Sequence, residues 1–315
     1  MDTWVVGIDL GATKIALGLV DAHNRVVARR RVPTLASEGP QAAVERIAAS
    51  ISDLRRELPS STRIGAAGIC SPGPVDHQAG LVVDPPNLLG WRNVPFRQML
   101  TDQLGIPVAL EHDAKAAALG EYHYGVGRGE RSMVYIVVGT GVGAAIIVDG
   151  QLYRGMHNAA GEVGHITIDC DGEKGSSGIC GNVESYMSGP ALAHHYQRLL
   201  IESGQPHSDQ PITGEMVAQL AAQGDALAKQ VITRAGQALG IAIASLAMIL
   251  DIELYVIGGS VAKCGDLFLE PARRIVPEYC FQSVACNVRI VPVALGDDGP
   301  ILGCGWLARE LLKAK

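Results

Sequence analysis

Apolar positions along this chain fall into two rhythms, and their alternation divides it. The stretch "WVVGIDLGATKIALGLVD" (4–21) is an apolar run, a glycine turn and a second apolar run, which predicts two strands joined tightly. "MVYIVVGTGVGAAIIVDG" (133–150) repeats that layout. Aligning Gly11 with Gly141 overlays the turns, and each second strand then ends near an aspartate, Asp21 or Asp149. The pattern therefore predicts a duplicated β-turn-β unit, one opening each of two lobes. Between them, "PQAAVERIAASISDLRREL" places Val44, Ile47, Ile51 and Leu54 on one helical face behind Pro40. "RIGAAGIC" reads as a buried strand, and "PVALEHDAKAAALGEYHYG" as a strand running straight into an Ala-rich helix. Helices are expected around 188–203, 213–222 and 225–250, then a strand in "ELYVIGGS", a helix, the strand "VRIVPVAL" and a closing helix from about 300 to 313. Such alternation of strands and helices predicts an α/β fold.

Composition narrows the picture. A length of 315 residues accommodates two domains with cores of their own. Hydrophobic residues make up 48% but aromatic ones only 4%, so the core must be built from Ala, Val, Ile and Leu. With 26 Lys and Arg against 32 Asp and Glu, the net charge of -6 offers no basic footprint, and nucleic acid is not an expected partner. Seven cysteines (70, 170, 180, 264, 280, 286 and 304) are odd in number and unpaired in spacing, which predicts free thiols and a cytoplasmic location. The opening "MDTWVVGIDLG" lacks a signal peptide's basic and long apolar regions. "ALGIAIASLAMIL" (238–250) is too short to span a bilayer, so it reads as a buried core helix and no membrane partner is expected.

Candidate chemistry sits at the turns. In "DLGATK" (9–14), backbone amides exposed by the glycine turn can bind phosphate oxygens, Thr13 and Lys14 add a hydroxyl and a cation, and Asp9 could hold a metal through water. The spacing is not that of a Walker loop. "GTGVG" (139–143) is the second such turn, and "IGGS" (257–260) ends a strand where a following helix dipole admits a ribose or phosphate. Asp113 falls where a strand meets a helix, so it is either a helix N-cap or a general base for a hydroxyl.

The ordered set "GIDLGATKI", "PGPVD", "PPNLLGW", "HDAKAAALGE", "GTGVGAAIIVDGQLYRG", "AGEVGHITID" and "VIGGSVA" resembles the ROK family of sugar kinases and related repressors over nearly the whole chain. The resemblance implies a two-lobed actin-like ATPase (ribonuclease-H-like) fold, with an active-site cleft between the lobes. The expected division is a small lobe of 1–113 completed by about 300–315, and a large lobe of 114–299. Position by position, the resemblance implies Asp113 as catalytic base. It implies phosphate and nucleotide contacts at Asp9, Gly11, Ala12, Thr13, Lys14, Gly139, Thr140, Gly141, Gly143, Gly258 and Gly259, with Mg²⁺ held indirectly through Asp9. It implies sugar contacts at Gly73, Asn87, His112, Asp113, Glu162, His165 and Glu184. Carboxylates accept from hydroxyls and imidazole both donates and accepts, which suits a polyol.

The implied activity is ATP-dependent phosphorylation of a hexose, glucose first, by a homodimer. Alternatives are another acceptor (N-acetylmannosamine, N-acetylglucosamine, mannose or fructose), polyphosphate as donor, or a non-catalytic sugar-binding regulator. Against the regulator stands the first strand at about Trp4, which leaves no room for an N-terminal DNA-binding domain.

Two departures from the family pattern stand out. Relatives usually carry Asn before the catalytic Asp, whereas this chain has His112. Many relatives bind structural zinc with the His of "GH" and cysteines in C-x-C-G-x-x-G-C-x-E. Placing Glu184 at the final Glu puts Gly175, Ser177 and Asn182 at the cysteine positions, leaving only Cys170 and Cys180 nearby. A tetrahedral site needs four good ligands, so no structural zinc is expected. His194 and His195 read as partly exposed and inert helix residues, and Trp91 and Trp306 as packing residues.

Overall fold

A computed structural model of the chain describes residues 3–56, 58, 62–204 and 211–313. Glu57, near the end of the first helix read from the sequence, and residues 314–315 of the expected small lobe lie outside the described residues. The chain opens with β1 (Thr3–Leu10), β2 (Lys14–Val20), β3 (Val26–Pro33) and α1 (Gly39–Arg56). It continues through β4 (Arg63–Ser71), a small hairpin of β5 (Val75–Asp76) and β6 (Leu81–Val82), α2 (Phe96–Leu104), β7 (Val108–His112) and α3 (Asp113–Tyr124). Next come β8 (Met133–Val138), β9 (Val142–Val148), β10 (Gln151–Tyr153), α4 (Glu184–Met187), α5 (Gly189–Glu202), α6 (Gly214–Gln223) and α7 (Ala226–Leu250). The last elements are β11 (Leu254–Gly258), α8 (Asp266–Tyr279), α9 (Gln282–Ala285), β12 (Arg289–Pro292) and α10 (Asp298–Lys313).

The chain forms two compact units, Met1–Gly129 with Ala294–Lys315, and Glu130–Val293. Their main sheets have the same plan. The first runs β3-β2-β1-β4-β7, antiparallel through β3, β2 and β1 and parallel through β1, β4 and β7. The second runs β10-β9-β8-β11-β12 with the same senses. The duplication read from two glycine turns thus extends over five strands of each unit.

In the first unit, side-chain alternation serves two faces. Val6, Ile8 and Leu10 of β1 join a core with Val44, Ile47, Ile51 and Leu54 of α1 and with Phe96 and Leu100 of α2. Val5 faces the other way, toward Ile301, Leu302 and Ala308 of α10. There the approach is so close that a Cβ on Gly7 would overlap the Ile301 carbonyl, and one on Gly303 would overlap the carbonyl of Ala116 in α3. Only glycine allows such contact. The buried Glu121 ties the same region: its carboxylate accepts from the amides of Ala294 (3.0 Å), Leu295 (2.8 Å) and Val126 (3.2 Å). These contacts correct the expected boundaries. The chain after 113 stays with the first unit because α3 packs on α10, and residues 294–299 join it because Glu121 holds them.

The second unit packs one face of its sheet, including Ile136, Val138, Ala144, Tyr255 and Ile257, against α4 to α8. α7 is long and apolar enough to cross a membrane, but Val231, Ile232, Ala235, Leu239 and Ile243 bury one side of it in this core. The segment 238–250 is therefore the core helix its sequence predicts.

Candidate active site

In the first unit, candidate residues meet where parallel strands end, the usual ligand-binding edge of such sheets. Register sets Asp9 of β1 beside Cys70 of β4, Cys70 beside Glu111, and Ser71 beside His112 of β7. Cys70 Sγ donates to Asp9 Oδ1 at 3.4 Å. Burial raises the Asp9 pKa above its ordinary value; the charge of Asp113 raises it further, and the Cys70 thiol and Lys14 oppose the rise. Contact with the buried Cys304 thiol, together with its own full burial, holds the Cys70 thiol well above its usual range.

The turn Gly11–Lys14 is clamped. Gly11 N–H closes it on the Lys14 carbonyl at 2.9 Å, Thr34 Oγ1 donates to the Gly11 carbonyl at 2.6 Å, and Thr34 N–H to the Thr13 carbonyl at 3.0 Å. Gly11 N–H is thus already used, which removes it from the expected phosphate donors, while Thr13 and Lys14 are exposed. Asn87 is exposed on a loop anchored by buried Leu88 and by Trp91, whose Nε1 donates to the Ala36 carbonyl at 3.2 Å.

Asp113 is the first residue of α3, and the capping position belongs to His112. Asp113 Oδ1 accepts from Ala114 N–H at 2.6 Å and lies 3.0 Å from His112 Nδ1. The carboxylate sits at a helix N-terminus, where the macrodipole favours negative charge. A Cβ on Gly73 would lie 2.5 Å from His112 Nε2 and Cδ2, so the ring fills the space above that glycine.

In the second unit, Gly139 N–H closes the β8–β9 turn on the Gly141 carbonyl (2.9 Å), and Gly189 N–H donates to the Gly139 carbonyl (2.8 Å). Gly139 N–H, like that of Gly11, is therefore spent within its turn. Gly143 lies inside β9, paired with Val137, and not in the turn as expected. Glu184 braces the turn: Oε2 accepts from Val142 N–H at 2.9 Å and Oε1 from Ser176 Oγ at 3.0 Å. Each carboxylate oxygen keeps a second acceptor site. Gly161 and Gly164 pack against the backbone of β9, which presents Glu162 to solvent and leaves His165 half-buried with its Nδ1 unpartnered.

The positions where zinc cysteines would fall come together in space without thiolates. Fully buried Asn182 donates from Nδ2 to Ser177 Oγ (3.1 Å) and accepts at Oδ1 from Ser185 N–H (3.0 Å), and a Cβ on Gly175 would lie 2.6 Å from Asn182 Oδ1. Cys170 and Cys180 are exposed free thiols. The donors at these positions do not fit zinc. Among the described residues, no group of three or more His, Cys, Asp or Glu is placed to hold a metal.

A cavity of 890 Å³ opens in the second unit. Gly139 and Thr140, the starts of α5 (Gly189, Pro190) and α6 (Thr213, Gly214, Glu215), and the short helix Val261–Cys264 with Ser260 and Lys263 line it. Its size suits a nucleotide-sized ligand, and two helix N-termini face it. Packing also requires Gly258 and Gly259 to be small: a Cβ on the first would lie 2.5 Å from Tyr135 Oη, and one on the second would overlap the Val138 carbonyl. β11 is followed by a short 3₁₀ helix and not directly by a long one, so the expected helix dipole after "IGGS" is displaced. The walls from α5, α6 and Lys263 were not anticipated from the sequence. His195 also differs from expectation: it is buried, bonds the Ser185 carbonyl at 2.8 Å, and has its pKa lowered by burial. Trp91 is buried against Phe96, and Trp306 stacks on His123 at 4.3 Å.

Two sheets of one topology, each opening with a glycine turn, define the actin-like ATPase fold. More narrowly, the chain belongs to the ROK family, which matches residues 5–311. It is 33% identical to a glucokinase of Streptomyces coelicolor over 97% of both chains. It is 30% identical to a xylose repressor of Caldicellulosiruptor bescii over 95% of this chain and 76% of the repressor. The solved ROK family glucokinase of Streptomyces griseus, in complex with glucose and AMPPNP, superposes with a TM-score of 0.81 at 30% identity, covering 98% of this chain and 99% of that one.

Proposed function

We propose that the protein is an ATP-dependent hexose kinase, with glucose as the first acceptor and the 6-hydroxyl as the phosphorylated group. The observation that carries this is Asp113: a half-exposed carboxylate at the start of α3, held on one oxygen by Ala114 N–H at 2.6 Å, at the carboxyl edge of the parallel strands. Phosphoryl transfer needs little more of the protein than positioning and charge stabilisation, with a carboxylate to orient the attacking hydroxyl and take its proton late. Asp113 fills that role.

The sugar contacts of this proposal are Gly73, Asn87, His112, Glu162, His165 and Glu184. The nucleotide occupies the 890 Å³ cavity, with Thr140, Ser260 and Lys263 toward its polar groups. Asp9, at the carboxyl end of β1 with its Oδ1 taking only a weak hydrogen bond from the Cys70 thiol at 3.4 Å, fits Mg²⁺ held through water. When bound, Mg²⁺ would neutralise charge on the phosphoryl oxygens. The glucokinase relatives support this function, and the xylose repressor relative favours a second one, a non-catalytic sugar-binding regulator.

ADP release with Mg²⁺-ATP over a panel of hexoses and N-acetylhexosamines separates the two. Sugar-dependent turnover, reduced roughly 10²- to 10⁴-fold in Asp113→Asn, is the expected result. Sugar binding by folded protein with no turnover would establish the regulator instead.

A further inference from the structure

A second, smaller cavity of 160 Å³ opens in the second unit, walled by α4, α5, α7 and the loop from Asp169 to Glu173. That is roughly five times the share of one water molecule in the liquid. His195 lines it and is only 8% exposed. Its Nε2 lies 2.8 Å from the Ser185 carbonyl, an atom that only accepts, so Nε2 carries the proton. Nδ1 is what the ring has left to offer, and it is buried with no hydrogen-bond partner. Arg198, three residues on and on the same face of α5, lines the same cavity. Its Nε is also buried without a hydrogen bond, with Glu202 Oε1 standing 3.5 Å away. Two orphaned polar atoms on one helix face, in one cavity, point to a ligand that meets both.

Two of the acids around this cavity are engaged within the protein. Asp169 accepts from Tyr186 Oη at 2.6 Å and from Asp171 N–H at 3.1 Å, and these bonds, the Tyr186 one first, hold its carboxyl below the ordinary range. Glu173 pairs with His194 Nε2 at 3.2 Å and accepts from Arg198 Nη1 at 2.7 Å, and its carboxyl is lowered in the same way. The bases are less fully used. Arg234 of α7 lies with its guanidinium 5.4 Å from the centre of the Tyr186 ring, a contact that leaves most of its N–H donors unspent. Burial lowers the His195 pKa first, and the charges of Arg198, His194 and Arg234 lower it further against the Ser185 bond. The positive groups of three side chains therefore converge on one buried ring. Asp171 is the exception, with an exposed carboxylate beside them.

We propose that this cavity is a binding site for a phosphate group, carried as free phosphate or as the monoester of a small polyol. Arg198 Nε and Arg234 donate to its oxygens. His195 Nδ1 takes the remaining contact: the hydroxyl of a phosphate monoanion donates to the bare nitrogen, and passing that proton across gives imidazolium and dianion with nothing else exchanged. Asp171 repels a bare anion but accepts from a hydroxyl, so the monoester binds more tightly than inorganic phosphate. No residue lining this cavity lines the 890 Å³ one, so the site is separate from the proposed nucleotide cavity and independent of the kinase function.

Nitrogen-15 NMR of histidine-labelled protein at about pH 7.5, where an unperturbed imidazole is mostly neutral, follows the ring during titration with inorganic phosphate or glycerol 3-phosphate. The His195 signals are assigned by their loss in His195→Gln. Nδ1 is expected to pass from bare toward protonated, saturably, with glycerol 3-phosphate the tighter ligand. Arg234→Ala, at an exposed residue, is expected to weaken both by roughly tenfold, with AMPPNP affinity by calorimetry unchanged. Asp171→Asn is expected to remove the preference for the ester. Absence of a saturable change at Nδ1 with either probe, or wild-type affinity in folded Arg234→Ala, overturns the site. Equal affinity of the two probes overturns the monoester preference and establishes the phosphate group itself as the ligand. The readout is a ring signal and not turnover, so an absence of sugar phosphorylation would remove the kinase proposal without touching this one.

Discussion

Asn182 and Ser177 are joined by a hydrogen bond of 3.1 Å at two of the positions where the zinc pattern calls for thiolates. The amide is fully buried, and its oxygen is engaged by the Ser185 amide at 3.0 Å. Side-chain amide chemistry therefore cross-links the loop that carries Ser176, and Ser176 in turn holds Glu184.

Chelation with EDTA or phenanthroline is expected to leave the thermal unfolding of the protein unchanged. Asn182→Ala is expected to lower stability by about 1–3 kcal/mol, because it removes the hydrogen bonds that a fully buried side chain makes with Ser177 Oγ and Ser185 N–H. Denaturant titration measures the second effect, and a chelator-sensitive melting curve would contradict the first.

Glu184 has two duties that substitution can separate. Glu184→Gln keeps an oxygen for Val142 N–H and an amide for Ser176, so it should raise the KM for sugar while leaving that for nucleotide near wild type. Glu184→Ala also removes the brace on the β8–β9 turn and should raise both. Initial rates with each substrate varied in turn distinguish these outcomes.

Ala218 lines the cavity of the second unit from α6. Ala218→Trp should fill it and weaken AMPPNP binding by about tenfold or more, about 1.4 kcal/mol, with sugar affinity unchanged. Isothermal titration calorimetry with each ligand tests the assignment of that cavity.

Asp9 gives a stability effect with a definite sign. Burial and the charge of Asp113 raise its pKa from 3.8, so the native state binds more protons than the unfolded chain above that value. Stability is therefore lost as pH rises from 3.8 through the raised pKa. Asp9→Asn should melt higher than wild type at neutral pH, the gain vanishing as pH falls toward 3.8, while turnover falls. A lower melting temperature at neutral pH would contradict this.

Elements that bury a continuous apolar face were legible in the sequence. β1 and β8 read as strands because Val5 to Ile8 and Met133 to Ile136 are buried on both sides of their sheets. β3 was not legible, since its Arg29, Arg30 and Arg31 are largely exposed and only the ladder to β2 makes it a strand. α2 buries only Phe96 and Leu100, too few to set a helical rhythm. Asp113 and the two glycine turns could be found because they lie within single strand-turn units. The cavity could not, because its walls are small residues from α5, α6 and the Val261–Cys264 helix, brought together only by folding. The packing at Gly258 and Gly259 was not legible for a related reason: Tyr135 and Val138, distant in sequence, require them to be small.

The return of α10 to the first unit has a consequence for biosynthesis. Gly7, Gly68 and Gly120 are fitted to the carbonyls of Ile301, Cys304 and Gly299, which a ribosome delivers only after every residue of Glu130–Val293 has been made. During translation the earlier unit waits with one sheet face bare while the later, contiguous unit has all its parts. The order of maturation therefore runs opposite to the order of synthesis. Until α10 emerges, the apolar face of Val5, Ala16 and Ala66 is open to whatever else the nascent chain meets.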